Sequence, residues 1–485
     1  MTKKSKSIHD RLFLIAFLAF VMITYMVWSY TQQLNFSADE TMRFQVVQYI
    51  YDHGTLPHGG DPEIRDANWG ISYAFNPILS YIGSAILMRI MAIFTTDPHM
   101  LLVAARFMNV IWGTGTAWFV WLLAKRLFKK EDRIMFTALI TFLPGAVILY
   151  SYVNTDALAM FSSAFIVYMW VRSLQDGWTY KNCALLGVGI SFCALSYYNA
   201  YGYALCSILL FCADNLLFGE KKWDFATLIR RGLVVTAVVA LLAGWWFLRN
   251  AIIYDGDFMG RATSHAYAVQ YAQKEYNPVY RTTMQEAGNI SLFSMLFYRP
   301  PYLGQNWLMT VIFGLIGCFG YNQIYLTDFI YYPYMVFICV GLAALVLWKR
   351  DLFYFRKHKV MAEQDQKTTD EEEVLYVMYR TKGINRKAVF HAVMILAIII
   401  PNFLNAYYSF SSDFQPQGRY SMPMLIPFMY FVTMGYNSIA ERFIKNEKVR
   451  KGCYYLVAAG AAGMMLFSWG RIIYPMYLQN YSGLH

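Results

Sequence analysis

The feature that most constrains this chain is a series of apolar runs, each long enough to cross a lipid bilayer. The hydrocarbon core of a membrane is about 30 Å thick, so a spanning helix needs about 20 apolar residues. Runs of that kind occupy 12–30, 101–124, 134–152, 157–172, 183–199, 202–218, 229–248, 329–348, 389–406, 421–438 and 453–471. Two more, 77–94 and 308–320, do not declare themselves by apolarity alone. Inside a bilayer every backbone N–H and C=O must be satisfied within the protein. The expected fold is therefore an all-α polytopic membrane protein, a bundle of about 11 transmembrane helices.

Composition supports this. Of 485 residues, 58% are hydrophobic and 15% are charged, against about 25% charged in a soluble domain. The net charge of +11 would suggest nucleic acid in a soluble protein. Here the basic residues cluster in short loops, which is the positive-inside pattern of a membrane protein. No nucleic-acid partner is expected, and the lipid bilayer is. Aromatic side chains make up 18%, most of them expected between helices and some in interfacial belts. The seven cysteines all lie in apolar runs with no CxxC pair, which argues against a zinc site or a disulfide framework. The N-terminal "MTKKSKSIHDR" precedes an apolar run of about 19 residues, longer than a secretory h-region and with no cleavage site after it. It is expected to stay as the first helix.

Charge also settles the two ambiguous runs. "MTKKSKSIHDR", "KRLFKKEDR" (125–133), "FGEKKW" (218–223), "KRDLFYFRKHK" (349–359) and "ERFIKNEKVRK" (441–451) should all be cytoplasmic. A crossing by 77–94 would force 125–133 outside, and one by 308–320 would do the same to 349–359. With both excluded, eleven crossings satisfy every basic loop. Residues 1–348 then form a membrane module with external loops 31–100 and 249–328. A charged cytoplasmic loop, 349–387, containing "TTDEEE", reads as a polar, partly disordered connector. The final helices, 388–485, carry an external loop at 407–420. No internal repeat or matched pair of broken helices is visible, which counts against a secondary transporter.

Candidate chemistry lies on the external side. In "NFSADETMRFQVVQYIYDHGTLPHGGD" (35–61), Asp39 and Glu40 lead a segment with Phe44, Val46, Val47, Ile50 and Tyr51 at helical spacing. This reads as an interfacial amphipathic helix, ended by Gly54 and Pro57. Its N-terminal dipole favours an ionised carboxylate. Ser37 and Glu40 have the spacing of a capping box, which gives Glu40 a structural excuse that Asp39 lacks. In "YSYVNTDALAM", Asn154 and Asp156 sit in a tight turn, as helix caps or as site residues. In "QPQGRYSMP" (415–423), Arg419 and Tyr420 follow Gly418 at the mouth of a span; a guanidinium fork suits a phosphate. In "WWFLRNAIIYDGD" (245–257), Arg249 and Asn250 leave the seventh span, with Asp255 and Asp257 beyond. His53, His58, Asp52, Asp61 and Glu63 crowd the first loop, so a divalent metal is conceivable there but not required; a loop rich in polar residues is the simpler account.

In order and sidedness these motifs resemble the GT-C superfamily of membrane glycosyltransferases, such as protein O-mannosyltransferases and lipid A aminoarabinose transferases. The resemblance is strongest to a set of uncharacterised bacterial membrane proteins related to that superfamily. It rests on Asp39-Glu40 in a long first loop, Asn154-x-Asp156 in the next external turn, "LRNAIIYDGD", "GTLPHGGD", "FGLIGCFGYNQIYL" (313–326) and "QGRYSMPML" (417–425). There are departures. "AFNPILSY" stands where the mannosyltransferase-like group often has His-Pro-Pro, and no WWDYG-like stretch occurs, which argues against an en bloc oligosaccharyltransferase.

The resemblance implies a multi-pass bacterial plasma-membrane enzyme with its active site outside. It would move a sugar, with inversion, from a polyprenyl-phosphate donor to a hydroxyl of a glycan, lipid or protein acceptor. Asp39 would be the general base, with Glu40 and Asp156 beside it. Arg419, Tyr420 and Arg249 would bind the donor phosphate, and Asn154, His58 and Asn250 the substrate. No cofactor is implied. The competing readings are a flippase for a lipid-linked glycan and a surface polysaccharide polymerase or ligase.

Overall fold

A computed structural model describes residues 3–481 apart from 130, 220, 289, 355 and 361–377. In chain order the elements are α1 Lys3–Thr31, α2 Glu40–His53, α3 Leu79–Ala92, α4 Pro98–Leu127, α5 Asp132–Thr141, α6 Pro144–Leu149, α7 Asp156–Asp176, α8 Tyr180–Ala194, α9 Gly202–Leu217 and α10 Phe225–Ile253. Next come α11 Arg261–Tyr271, α12 Leu292–Leu296, α13 Trp307–Gly317, β1 Cys318–Phe319, β2 Ile324–Tyr325, α14 Asp328–Trp348, β3 Arg356–Val360 and β4 Met378–Ile384. The chain ends with α15 Arg386–Ser411, α16 Leu425–Phe443, α17 Glu447–Ser468 and α18 Tyr474–Tyr481. The protein is a multi-pass, all-α membrane protein; its described strands form two antiparallel pairs, β1 with β2 and β3 with β4.

Among the described residues, eight helices are long and apolar enough to cross a membrane. Three of the eleven expected spans fall short of that standard, each for a local reason. The run 134–152 is split into α5 and α6 because Pro144 starts a new helix. The run 183–199 is a helix of 15 residues, about 22 Å long, followed by a single 3-10 turn at Tyr198–Ala200. The run 421–438 begins as a 3-10 turn, Gly418–Met424, and becomes α-helical only at Leu425. All three still connect the same two faces of the bundle as the eight.

The contacts at helix ends identify those faces. Lys129 pairs with Glu441 at 3.3 Å, Lys349 with Glu441 at 3.8 Å, and Lys451 with Glu131 at 3.2 Å. Arg126 pairs with Asp176 at 2.7 Å. The basic loops therefore meet on one face. The turns at 31–40, 150–156, 318–326 and 412–420 meet on the other. The charged 349–387 loop leaves the basic face; its flanks pair as β3 and β4, and the "TTDEEE" stretch lies outside the described residues.

Neither ambiguous run crosses. α4 reaches the basic face at its C-terminus, so its N-terminus, capped by Asp97, lies on the opposite face. Helix α3 runs back along α4, from Ser80, which accepts from Trp112 Nε1 at 3.2 Å inside the bundle, up to that face, so it dips into the bundle without crossing it. It packs on α2 and α4, Arg89 donates to the Tyr51 carbonyl at 2.7 Å, and Ile86, Ile90, Ile93 and Phe94 point outward, where lipid would cover them. Helix α13, 11 residues long, turns back through the β1–β2 hairpin before α14 descends. It packs against the 3-10 turn at Gly418–Met424 and against α6. The contact is backbone on backbone: a Cβ at Gly418 would run into the Leu315 amide and Gly314. Gly418→Ala is accordingly expected to destabilise the protein by about 1–3 kcal/mol, as overpacking does, and to displace Arg419; thermal melting of the purified protein checks it.

Candidate active site

Helix α2 does not begin as a capping box. Its N-cap is Asp39, left-handed at φ 65°, whose side chain does not cap the helix; the Thr41 amide goes to Asn35 Oδ1 at 3.4 Å. The Ser37 hydroxyl instead donates to Gln32 Oε1 at 3.3 Å. Glu40 turns inward, fully buried, to receive Arg106 Nε and Nη2, both at 2.7 Å, and the Val153 amide at 3.1 Å. The reason is electrostatic. Arg106 lies inside α4 with no exposed surface, and a buried cation needs a counter-charge far more than a surface helix needs a cap. Arg106 also donates to the carbonyls of Ser29, Gln32 and Gln33. The pair thus fixes the exit of α1 and the start of α2 onto α4.

With Glu40 turned in, Asp39 is thrown the other way. A left-handed conformation is uncommon for a residue with a side chain, and here it is held by contacts. The Asp39 amide donates to the Tyr321 hydroxyl at 3.1 Å, and that hydroxyl donates to Asn35 Oδ1 at 2.9 Å. Asn35, Tyr321 and Asn322 are left-handed as well. The tip of the β1–β2 hairpin is thereby laced to the first loop.

The Asp39 carboxylate receives Arg419 Nη2 at 2.5 Å and the Tyr73 hydroxyl at 2.9 Å, with Arg43 Nη2 4.0 Å away. Burial alone would raise its pKa; the Arg419 and Arg43 charges and the hydrogen bonds from Arg419 and Tyr73 outweigh that and hold it below the usual carboxylate value. Arg419 further donates to the Ala38 carbonyl at 3.0 Å, the Tyr420 hydroxyl at 3.1 Å and the Tyr152 hydroxyl at 3.4 Å. Its Nε is buried without a partner. Tyr420 is set by a 2.7 Å bond to Gln415 and by stacking on Tyr197. Arg419 also lines a cleft with Ala38, Tyr152, Tyr321 and Asn322.

Asp156 enters through Arg43, which the reading of the sequence passed over. Arg43 is fully buried, donates to Asp156 Oδ2 at 3.0 Å and lies over the Tyr73 ring at 4.7 Å. Its Nε and Nη2, and Asp156 Oδ1, have no hydrogen-bond partner. The buried face of α2 is Glu40, Arg43, Val46, Val47 and Ile50; Phe44 and Tyr51, expected on it, are only half-buried. Helical spacing from Glu40 through Arg43 to Val47 and Ile50 was the signal that could have placed Arg43 inward. Asn154 is a cap: its Oδ1 accepts from the Ala157 amide at 2.8 Å, and its Nδ2 is spent on the Leu149 and Tyr152 carbonyls.

Arg249, Asn250 and His58 form a separate neighbourhood. Arg249 donates to the Pro57 carbonyl at 2.7 Å and lies over Trp246. No ion pair joins it to Asp39 among the described residues; its bonds to the Leu56 and Pro57 carbonyls clamp α10 onto the first loop. His58 sits edge-on to Tyr254 and Phe75 and accepts from the Gly60 amide at 3.0 Å. Asn250 is fully buried, its Nδ2 without a partner. Asp257 is taken up by Thr263. Among the described residues no three His, Cys, Asp or Glu side chains gather closely enough to hold a metal; His53 pairs with Glu63 at 3.0 Å and Asp52 with Gln48.

No family model and no curated protein matches the sequence. Solved structures do match. The chain is similar to the oligosaccharyltransferase of Archaeoglobus fulgidus tethered to an acceptor peptide containing the NVT sequon, with a TM-score of 0.53 and 13% identity, over 95% of this chain and 55% of that one. Two further structures from that organism are similar: its oligosaccharyltransferase AglB with an inhibitory peptide and a dolichol-phosphate (TM-score 0.46, 12% identity) and an apo form (TM-score 0.43, 14% identity). Each is covered over 55% of its length by 95% of this chain, so this chain spans about half the length of these proteins. The likeness is one of fold, and the fold is GT-C-like.

Proposed function

We propose that the protein is a membrane glycosyltransferase that moves a sugar from a polyprenyl-phosphate carrier to an acceptor hydroxyl. The observation that carries this reading is the pair Asp39–Arg419: the carboxylate of a left-handed residue locked to a guanidinium that lines a cleft at one face of a GT-C-like bundle. By the positive-inside pattern that face is the external side of a plasma membrane, bacterial on the resemblance of the sequence.

In this reading the ion pair is the resting state. The donor phosphate competes for Arg419, whose fork matches a phosphate. Asp39, relieved of its closest cation, regains basicity and takes the proton of the acceptor hydroxyl. The acceptor oxygen attacks the anomeric carbon, the bond from that carbon to the phosphate oxygen breaks, and polyprenyl phosphate leaves as an anion stabilised by Arg419 and Tyr420. Attack from the side opposite the leaving group inverts the anomeric centre. Asp156 and Arg43 position the Asp39 side of the cleft. Arginine supplies the positive charge for the leaving group, so the proposal needs no resident metal.

The test is transfer from radiolabelled polyprenyl-phosphate sugars to a panel of glycan, lipid and peptide acceptors by the purified protein. No transfer to any acceptor, with the protein folded, would sink the reading. The rate should also carry a pH signature. Asp39 must be ionised to act, and in the free enzyme its pKa is held low. The acid limb of kcat/KM, which reports free enzyme, should therefore lie below the usual carboxylate range. The acid limb of kcat, which reports the donor complex, should lie at higher pH, because Arg419 is then shared with the phosphate. Coincident limbs would mean that Arg419 never leaves Asp39.

A further inference from the structure

A second site lies on the opposite face. Helix α10 has 29 residues, so its ends are about 43 Å apart, a full bilayer thickness. Its C-terminal end carries Arg249 beside the first loop; its N-terminal end is on the basic face. There, between the first turns of α10 and the start of α8, lies a cavity of about 400 Å³ lined by Trp178, Thr179, Tyr180, Thr227, Arg230 and Arg231.

Among the described residues the charge in this cavity is unbalanced. Neither Arg230 nor Arg231 is ion-paired among the described residues; Arg231 has only a neutral partner, Asn215 Oδ1, at 2.6 Å. Of the described acids nearby, Asp214 and Asp224 are engaged. Asp214 receives Arg386 at 2.5 Å and Trp178 Nε1 at 2.8 Å. Asp224 caps α10, accepting the Thr227 amide at 3.1 Å and hydroxyl at 2.7 Å. Exposed Lys181, Lys221 and Lys222 add positive charge at the rim. Thr179 accepts from the Asn182 amide, which leaves its hydroxyl hydrogen free to donate. Tyr180, Trp223 and Phe225 are each more than half exposed at this level, as side chains are at a lipid–water interface. An 18-residue apolar stretch of α10 has no buried residue, although one side of the helix packs on α8, so its outer side faces lipid and the cavity opens beside acyl chains.

We propose that this cavity binds the phosphate headgroup of an anionic phospholipid in the leaflet opposite the Asp39–Arg419 cleft. The arginines and the Thr179 hydroxyl take the phosphate, the aromatic ring positions sit at headgroup depth, and the acyl chains lie along α10. Basic pockets between helices on the cytoplasmic side are suited to such headgroups.

The full-length protein in lipid-free detergent is melted with added phosphatidylglycerol, phosphatidylcholine or inorganic phosphate. Phosphatidylglycerol should raise the melting temperature by mass action, and the other two should not. Arg230→Ala, a substitution at an exposed position that leaves the Arg231–Asn215 bond intact, should remove most of that shift while melting like the wild type without lipid. A Lys448→Ala/Arg450→Ala variant, on α17 of the same face, should keep the shift. Should Arg230→Ala melt early without lipid, Arg230→Gln takes its place with the same expectation. An equal shift with phosphatidylcholine, an undiminished shift in the Arg230 variant, or a shift reproduced by inorganic phosphate would each overturn the assignment.

Discussion

Asp39→Asn is expected to lower kcat for sugar transfer by about 10²–10⁴-fold, the range that a positioned general base contributes, while the protein still folds. Asparagine is the same size and can still accept from Arg419 and Tyr73, so the left-handed turn and its bonds to Tyr321 through the backbone persist. What disappears is the group that takes the acceptor proton. The donor should bind the variant as tightly as the wild type or more tightly, because Arg419 is no longer held by a full negative charge. Transfer kinetics with a polyprenyl-phosphate sugar, beside donor binding and a melting curve, separate these effects. Wild-type kcat in Asp39→Asn would remove Asp39 from the chemistry.

Its neighbour should behave in the opposite way. Glu40→Gln leaves Arg106 buried without a counter-charge and turns an amide NH₂ toward its N–H groups. Breaking one side of a buried ion pair costs about 3–5 kcal/mol. The variant should melt well below the wild type and express poorly, whatever substrate is present. Replacing both partners with uncharged residues, as in Glu40→Gln/Arg106→Met, should recover part of the loss, since the isolated charge is then gone. A Glu40→Gln protein that melts like the wild type would contradict this role. Two adjacent carboxylates are thus expected to differ in kind: one silences chemistry when neutralised, the other loosens the fold.

That division was only half visible in the sequence. Ser37 and Glu40 have the spacing of a capping box, and the spacing misled: it reports what a helix end could do in water, whereas Arg106 offered Glu40 a stronger partner in the protein interior. An arginine inside the run 101–124 was itself a signal, since ionisable residues within spans are costly and come paired. Arg43 was hidden because a single basic residue on an interfacial helix usually reaches for water; only its helical spacing with Glu40 and Val47 marked it as inward. Arg249 was legible only in part. Its position at the end of a span was read correctly, but the carbonyls of Leu56 and Pro57 hold it, a partnership that leaves no trace in residue type.

What the sequence determined by itself is what depends on local chain properties. Run length and hydropathy set the traverses, because backbone groups in a bilayer must be satisfied within each segment. The placement of Lys and Arg sorted the loops onto two faces and kept 77–94 and 308–320 from crossing. Tertiary structure decided which charge meets which. Arg419 and Asp39 lie 380 residues apart and Arg106 and Glu40 lie 66 apart. Each pairing exists because packing brings one cation out of water beside one anion. In a low-dielectric interior a charge takes the opposite charge within reach, and reach is a property of the fold.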